Sequence, residues 1–298
     1  MLACVDRGEV VAWEHPAAAA GGPAAGAAGS AGTAGSQSGA VQRPVFEEPQ
    51  PVKELNAPDA KDQDPTLTAD LLTILFFSDR GGDEDIWASQ RPSIDDPWEA
   101  PREVAELNSD AVEHSPAISP DGLRLWYYSQ RDPAGLWYSE RETRNARWSD
   151  PRSVPIEVTD PPGVVIAPAL DDLELRLAVS VGTSESRDIH ELVRVSWDTP
   201  WSAPAAIAGL NSGAADSTPF LIGAGSEVLF SSARSGNGDL FWAYRDTPAL
   251  PVERVEELTE LNDPQAFESH PHLAADRSVI YFGSTRTGNT DIFWAAVR

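Results

Sequence analysis

One sequence unit occurs five times along this chain of 298 residues. Each copy is marked by an x-Pro-x-(apolar) start, and the successive prolines stand 51 or 52 residues apart, at Pro65, Pro116, Pro168, Pro219 and Pro271. A fixed period of this length is typical of supersecondary units that stack or close into a ring, because one unit alone cannot bury its apolar face. The repeat therefore constrains the architecture more strongly than it constrains the function.

The second copy shows what each unit builds. Short apolar runs such as Leu123–Tyr127 and Leu136–Trp137 are rich in aromatic residues and are bounded by turn residues, which predicts strands. Asp121 and Gly122 supply a tight turn, since glycine adopts positive φ at little cost. A further strand is predicted after the motif Trp-x-x-Pro, which begins here at Trp148. Four strands in a repeat of this length predict the blade of a β-propeller.

The fifth unit ends at Arg298 after three strands, and its missing strand is found near the start of the chain. Residues 46–56 match residues 98–108 in their order of residue types. We therefore predict an all-β fold, a five-bladed propeller over residues 45–298, in which an N-terminal strand completes the last blade and removes an open sheet edge. The predicted blades span residues 57–110, 111–160, 161–213, 214–264, and 265–298 together with 45–56.

These residues resemble a known family. Ser119-Pro120-Asp121-Gly122, followed by a strand that ends in Ser-x-Arg and by an Ile- or Leu-aromatic strand, is similar to the WD-like propeller repeat of the TolB type. The Trp-x-x-Pro and Leu-Asn motifs resemble the variant found in bacterial envelope proteins. TolB pairs a six-bladed propeller with a small α/β domain, and this sequence has neither feature. The resemblance therefore implies the same type of repeat, but it implies none of TolB's partners.

The first 44 residues differ from the rest in composition. Residues 17–40 are almost entirely Ala, Gly, Ser, Pro and Thr, which predicts that residues 1–44 form a disordered tether. Leu2-Ala3-Cys4 resembles the end of a lipoprotein signal, and Cys4 is the single cysteine, so it is the predicted lipidation site. No charged and apolar leader precedes Cys4 in the sequence. We expect a lipoprotein of the bacterial outer membrane or periplasm if translation starts upstream, and a cytoplasmic protein if it starts at Met1.

The excess of acidic over basic residues limits the kinds of partner that the chain is expected to bind. Lys and Arg number 22 against 47 Asp and Glu, giving a formal net charge of −25. Such a surface repels phosphate backbones, so nucleic acid is not an expected partner. A membrane is expected only through a lipid on Cys4. We expect a monomer whose partner is a protein, a peptide or a glycan, and no cofactor.

A ring of acidic residues is the first candidate site. The third residue before each repeat proline is Asp62, Glu113, Val165, Asp216 or Glu268. Because the first strand of each propeller blade lies nearest the axis, four carboxylates are expected around one mouth of the channel. They predict a site for a basic peptide, a cation or a sugar. The structural alternative is that they accept hydrogen bonds from backbone amides and recur because the fold recurs.

Three histidines lie close to the same ring. His270 and His272 flank Pro271 and share a strand face, and His114 occupies the second repeat. We place all three in the predicted binding site together with the carboxylates. The histidines and Glu268 could instead bind a metal, but a role as polar loop residues is the preferred interpretation.

Arginine and aspartate also recur at a spacing of five residues, in the pairs Arg80/Asp85, Arg234/Asp239 and Arg286/Asp291. We expect each arginine to pair with that aspartate and to hold the hairpin between the second and third strands.

Sequence motifs of common enzyme classes are absent, including Gly-x-Ser-x-Gly, the phosphate-binding lysine loop and His-Glu-x-x-His. We therefore predict a non-catalytic propeller that binds its partner at the acidic mouth. One alternative is a glycoside hydrolase that uses Glu113, Asp216 and Glu268, because paired carboxylates suffice for that reaction. Another is a purely structural propeller without a small ligand.

Overall fold

The structure, a computed structural model, describes residues 41–156, 164–183 and 186–298. Residues 41–298 form one compact unit. Its described residues form twenty short strands and one turn of 3₁₀ helix at Gly223–Gly225.

Every sheet contains four strands. In chain order the strands are β1 (Gln50–Pro51), β2 (Asp62–Leu67), β3 (Thr73–Ser78), β4 (Asp85–Gln90), β5 (Arg102–Glu103), β6 (Glu113–Ile118), β7 (Arg124–Ser129), β8 (Gly135–Glu140), β9 (Arg152–Val154), β10 (Val164–Leu170), β11 (Arg176–Gly182), β12 (Asp188–Val193), β13 (Ala205–Ala206), β14 (Asp216–Ile222), β15 (Glu227–Ser232), β16 (Asp239–Tyr244), β17 (Arg254–Glu257), β18 (Glu268–Leu273), β19 (Val279–Ser284) and β20 (Asp291–Ala296).

These strands form five antiparallel blades. Blades 1 to 4 take consecutive strands from β2 to β17, and blade 5 has the order β1-β20-β19-β18. Gln50 pairs with Trp294, and Phe46 forms a further bridge to Val297. The fold prediction is confirmed: the protein is all-β, a five-bladed propeller closed by an N-terminal strand.

The apolar core lies between neighbouring blades. Leu75 and Ile86 of blade 1 form one cluster with Leu125 and Tyr127 of blade 2, and Leu107 in the connection between these blades fills it. All five side chains are at most 2% exposed. Each blade therefore buries its apolar face against the next, as a repeat architecture requires.

The recurring Leu-Asn motif fastens each connection to the blade before it. Asn108 accepts a hydrogen bond from the backbone amide of Ile86 at 2.8 Å and donates one to the carbonyl of Ile86 at 3.1 Å. The Asn108 side-chain amide therefore forms a pair of hydrogen bonds like those of a β-ladder, at the point where β5 does not pair with β4. The same arrangement is made by Asn56, Asn211 and Asn262.

The Trp-x-x-Pro motif packs against an arginine seven residues earlier. The guanidinium carbon of Arg91 lies 4.3 Å from the ring centre of Trp98, and Arg141 and Trp148 repeat this distance. The Arg91 Nε atom also donates to the carbonyl oxygen of Leu71. The tryptophan of the motif therefore packs against the arginine in a cation–π contact, and the arginine joins the outer loop of the blade to its first turn.

Each innermost strand carries a β-bulge at its proline motif. The pairing register shifts there in all five blades. The residue before each proline has φ between 51° and 59°, in the left-handed region that L-residues seldom adopt; these residues are Asp64, Ser115, Ala167, Thr218 and His270. We call these five positions the axial ring.

Candidate functional site

The four predicted carboxylates are buried inside the blades. Asp62, Glu113, Asp216 and Glu268 are 0% exposed. In blade 2, Glu113 accepts hydrogen bonds from the hydroxyl of Ser129 at 2.5 Å and from the backbone amide of Ser109 at 2.8 Å. Arg131 lies 3.0 Å from the same carboxylate. The lone pairs of Glu113 are thus taken up by groups of its own blade and the preceding connection.

The arginine of each Ser-x-Arg motif pairs with this carboxylate, which corrects the pairing predicted at a spacing of five residues. Arg80 pairs with Asp62 rather than Asp85, and the equivalent distances are 2.7 Å for Arg234 to Asp216 and 3.1 Å for Arg286 to Glu268. The first and second strands are adjacent, so the strand start lies closer to the arginine than the hairpin aspartate does. Asp85 is left with an unpartnered buried oxygen, and burial together with Glu103 raises its pKa to about 6.

This geometry favours the structural interpretation of the acidic ring. Each carboxylate finds its hydrogen-bond donors within its own blade and the preceding connection, and the side chains expose no surface to the channel mouth. Blade 3 has Val165 at this position, and Val165 is also buried. The glycoside hydrolase alternative needs two accessible carboxylates across a funnel, so it gains no support from Glu113, Asp216 and Glu268.

The axial ring brings together a different set of polar groups. Ser115 donates hydrogen bonds from its backbone amide and from its hydroxyl to Asp64 Oδ2, both at 3.0 Å. His270 Nδ1 lies 2.6 Å from Asp64 Oδ1. Three blades therefore contribute to one cluster on the axis, and sequence analysis identified His270 in it but missed Asp64 and Ser115. The signal was available, because both residues directly precede a repeat proline.

Ser115, His270 and Asp64 are the residue types of a nucleophilic triad, but their arrangement differs from one. Ser115 Oγ lies 3.4 Å from His270 Nε2, and it is closer to Asp64 Oδ2. In a triad the histidine takes the serine proton and the aspartate orients the histidine. Here the single hydroxyl proton of Ser115 is directed to the aspartate, so His270 is not placed to receive it.

The other two histidines have different surroundings. His114 Nδ1 lies 2.9 Å from Ser115 Oγ, and its ring packs against Tyr128 at 4.6 Å between centres. The ring of His272 packs against Phe220 at 4.6 Å. His114 and His270 therefore meet at Ser115, whereas His272 stands apart from them. Among the described residues, no group of three or more His, Cys, Asp and Glu side chains is arranged to hold a metal ion.

Burial controls the protonation of this region. Burial alone would raise the pKa of Asp64, but the neighbouring His270 and the hydrogen bond from Ser115 outweigh it and hold that pKa below its usual range. Burial lowers the pKa of His114, and it lowers the pKa of His272 to about 3. At neutral pH Asp64 is thus ionised, and His114 and His272 are neutral.

Two adjoining hollows line the axis. The axial cavity, about 70 Å³, is bounded by Asp64, Ser115, His270 and Glu174 among others. The turn-face funnel, about 320 Å³, opens on the face that carries the tight turns between the first and second strands of the blades. Its wall is mostly apolar and is formed mainly by Leu67, Ile118, Leu170, Phe220, Ile222 and Leu273. His272 and Phe220 border both hollows, so the funnel and the cavity share part of their wall.

We expect His272 to make the protein sensitive to mild acid. The unfolded chain takes up a proton on this residue below about pH 6.5, and the folded state does not until about pH 3. The free energy of unfolding should therefore fall as the pH is lowered between these values, by roughly 2–4 kcal/mol after allowing for channel water around the ring. Urea denaturation of the wild type and His272→Leu at pH 7.0, 6.0 and 5.0 measures this, and the variant should lose less stability. Equal losses would contradict the assignment.

Comparisons with known proteins give the fold and no family. No protein-family model and no curated protein matches the sequence. Among solved structures, the catalytic domain of the GH62 α-L-arabinofuranosidase of Coprinopsis cinerea has a TM-score of 0.59 at 11% identity, over 85% of this chain and 97% of that one. A GH62 hydrolase in complex with xylotriose has a TM-score of 0.57 at 11% identity, over 86% and 97%. Similarities at this identity show a shared propeller fold alone.

TolB proteins are also among the structural neighbours. The putative TolB of Agrobacterium tumefaciens has 14% identity and a TM-score of 0.49, over 81% of this chain and 78% of that one. No comparison tests the finer Trp-x-x-Pro variant of the repeat.

The predicted tether and Cys4 lie outside the described residues, so lipidation and the envelope location stay predictions. In the part of the chain that the structure describes, no helix has the length and apolar character needed to cross a membrane.

Proposed function

We propose that this protein is a non-catalytic binding propeller, and that its ligand is a peptide segment of a partner protein that enters the turn-face funnel. The observation that carries the proposal is the funnel itself, an apolar hollow of about 320 Å³ that shares part of its wall with the axial cavity and its polar groups. Ligand sites are typically concave, largely apolar and provided with a few convergent polar groups. The sequence predicted a site at the channel mouth where the inner strands start. The funnel lies at the opposite end of the channel.

The size of the axial cavity favours an unbranched chain over a sugar. A volume of about 70 Å³ is smaller than the ~150 Å³ cavity that accommodates a benzene ring in another protein. A sugar ring is comparable in size to benzene, so it does not fit, whereas the end of an extended side chain does. The funnel walls, in turn, suit apolar peptide side chains better than the hydroxyl groups of a glycan.

The net charge of −25 supports a basic partner, since a strongly acidic surface attracts positively charged chains and repels acidic ones. The buried carboxylates Asp62, Glu113, Asp216 and Glu268 hold the blades together in this proposal, and His272 lies in the binding wall. The location in the bacterial envelope, anchored through Cys4, belongs to the same proposal and rests on the sequence resemblance alone.

Peptides that are selected for binding to the wild-type protein test this function. We expect peptides selected for binding to the wild type to lose at least about tenfold in affinity for Ala275→Trp, because Ala275 is exposed and borders the funnel, so an indole there obstructs the entrance. Fluorescence anisotropy with each labelled peptide measures the dissociation constants.

The matched control is Ala100→Trp, the same substitution at an exposed alanine that borders neither the funnel nor the axial cavity. Its affinities should equal those of the wild type. Peptides that bind all three proteins equally well would show that the partner docks elsewhere, and the proposed site would be abandoned.

A further inference from the structure

The axial cavity contains a buried acceptor that lacks a donor. Asp64 is 2% exposed, and its Oδ1 atom forms no hydrogen bond of acceptable geometry with the described residues. His270 Nδ1 lies 2.6 Å away, but this contact does not have the geometry of a hydrogen bond. A buried acceptor without a donor costs about 1–3 kcal/mol, and more when it is charged. An incoming N–H donor would remove this cost.

The charges around the cavity favour a cation. Its wall includes the carboxylates of Asp64, Asp171 and Glu174, and no lysine or arginine is part of that wall among the described residues. Asp171 accepts the backbone amides of Leu175 and Arg176, and Glu174 is paired with Arg124 at 2.6 Å. Glu174 thus has an arginine partner and Asp171 has two backbone donors, whereas Asp64 Oδ1 has only the imidazole of His270 beside it. Asp64 is therefore the carboxylate that can receive a positive group.

We propose that the axial cavity binds a primary ammonium group on an alkyl chain, with Asp64 Oδ1 as its acceptor and the turn-face funnel around the chain. This inference rests on the proposed function and names the anchoring group of its ligand. An ammonium is compact and carries three donors, so it suits a narrow cavity lined by Asp64 Oδ1 and the hydroxyl of Ser115. The planar guanidinium of arginine is wider, and the size of the cavity selects against it. A lysine side chain of a peptide and a free alkylamine share this chemistry.

The test compares three six-carbon probes on the full chain at pH 7: n-hexylamine, n-hexanol and hexanoate. Isothermal titration calorimetry measures each dissociation constant. A charge-assisted hydrogen bond to a buried carboxylate is expected to make hexylamine bind about 10- to 100-fold more tightly than hexanol. Hexanoate should bind more weakly than either. Equal affinities for the amine and the alcohol would overturn the proposal while leaving the funnel as a binding site.

Two isosteric variants separate a specific contact from general attraction. Asp64→Asn should reduce hexylamine affinity to the level of hexanol, whose own affinity should stay the same and so report an intact funnel. Asp172→Asn removes the same charge from an exposed residue at the funnel rim and should leave the preference for the amine unchanged. Equal losses in both variants would show attraction by net charge alone and overturn the assignment to Asp64. If Asp64→Asn fails to fold, the comparison of amine with alcohol on the wild type still decides.

Blocked tripeptides identify the source of the ammonium. Acetyl-Leu-Lys-Leu-amide should bind more tightly than hexylamine, and its ε-acetyllysine form should bind at least about tenfold more weakly than the lysine form. Binding of hexylamine without binding of the tripeptide would assign the site to free alkylamines and overturn the peptide part of the proposed function. Absence of binding by every probe, hexanol included, would overturn both.

Discussion

A chain that starts at residue 57 should lose its cooperative thermal transition. The deletion removes β1 and three buried apolar side chains, Phe46, Val52 and Leu55, which are at most 4% exposed. At about 1.5–3 kcal/mol for each buried side chain, the loss is comparable with the total stability of a typical domain of 5–15 kcal/mol. It also leaves β20 as an open edge available to other chains. We expect loss of the melting transition together with aggregation, as followed by circular dichroism and light scattering.

A second truncation gives the matched control. Starting the chain at residue 41 removes only residues outside the described unit and keeps Arg43, which pairs with Glu260 at 2.6 Å. This protein should melt like the full chain. If the chain from residue 57 melts at the same temperature as the chain from residue 41, closure of the ring by the N-terminal strand contributes nothing to stability, and the stabilising role assigned to β1 is wrong.

Removal of one arginine from a blade should lower the free energy of unfolding nearly as much as the truncation at residue 57 does. Arg234→Met leaves the carboxylate of Asp216, which is 0% exposed, without its positive partner. Breaking a buried ion pair in this way typically costs about 3–5 kcal/mol, because an uncompensated buried charge remains. Urea denaturation at pH 7 measures the change in the free energy of unfolding. The hydrogen bond from Arg234 to the carbonyl of Leu210, at 2.8 Å, is lost as well.

The chain itself offers the control for this change. Blade 3 has Val165 where blade 4 has Asp216, and Val165 is buried. The double variant Asp216→Val/Arg234→Met should therefore recover more than half of the stability lost by Arg234→Met, because no unpaired charge is left. A double variant that is less stable than the single one would show that the pair is worth more than its burial costs, contrary to this expectation.

The blade number, the strand order and the closing strand could be predicted because each leaves a local signal in the sequence. The proline motif, the Asp121-Gly122 turn and the match between residues 46–56 and 98–108 are all signals of this kind. The partner of Arg80 could not be read off in the same way. It lies 18 residues upstream at Asp62, and only the pairing of β2 with β3 brings the two together.

The candidate site was harder to predict than the fold. Asp62 and Asp64 are two residues apart on one strand, so a regular strand would direct both to the same side. The bulge at the proline motif changes this relation, and it places Asp64 on the axis while Asp62 faces its own blade. No residue pattern of a single repeat distinguishes the two aspartates. What does distinguish them is a comparison across repeats: the position of Asp62 is acidic in four of five copies, as a structural role requires, whereas the position of Asp64 varies.

In the axial ring, the backbone bulges set the shape of the site, and the side chains set its chemistry. The bulges fix the backbone at all five positions, and Asp64, Ser115, Ala167, Thr218 and His270 show that an acid, two hydroxyls, a methyl group and an imidazole are all accepted there. The two hydroxyl positions also form hydrogen bonds between blades, since Ser115 donates to Asp64 and Thr218 accepts the backbone amide of His270. Substitutions at these five positions could therefore change which ligand a propeller prefers while the bulged backbone stays the same.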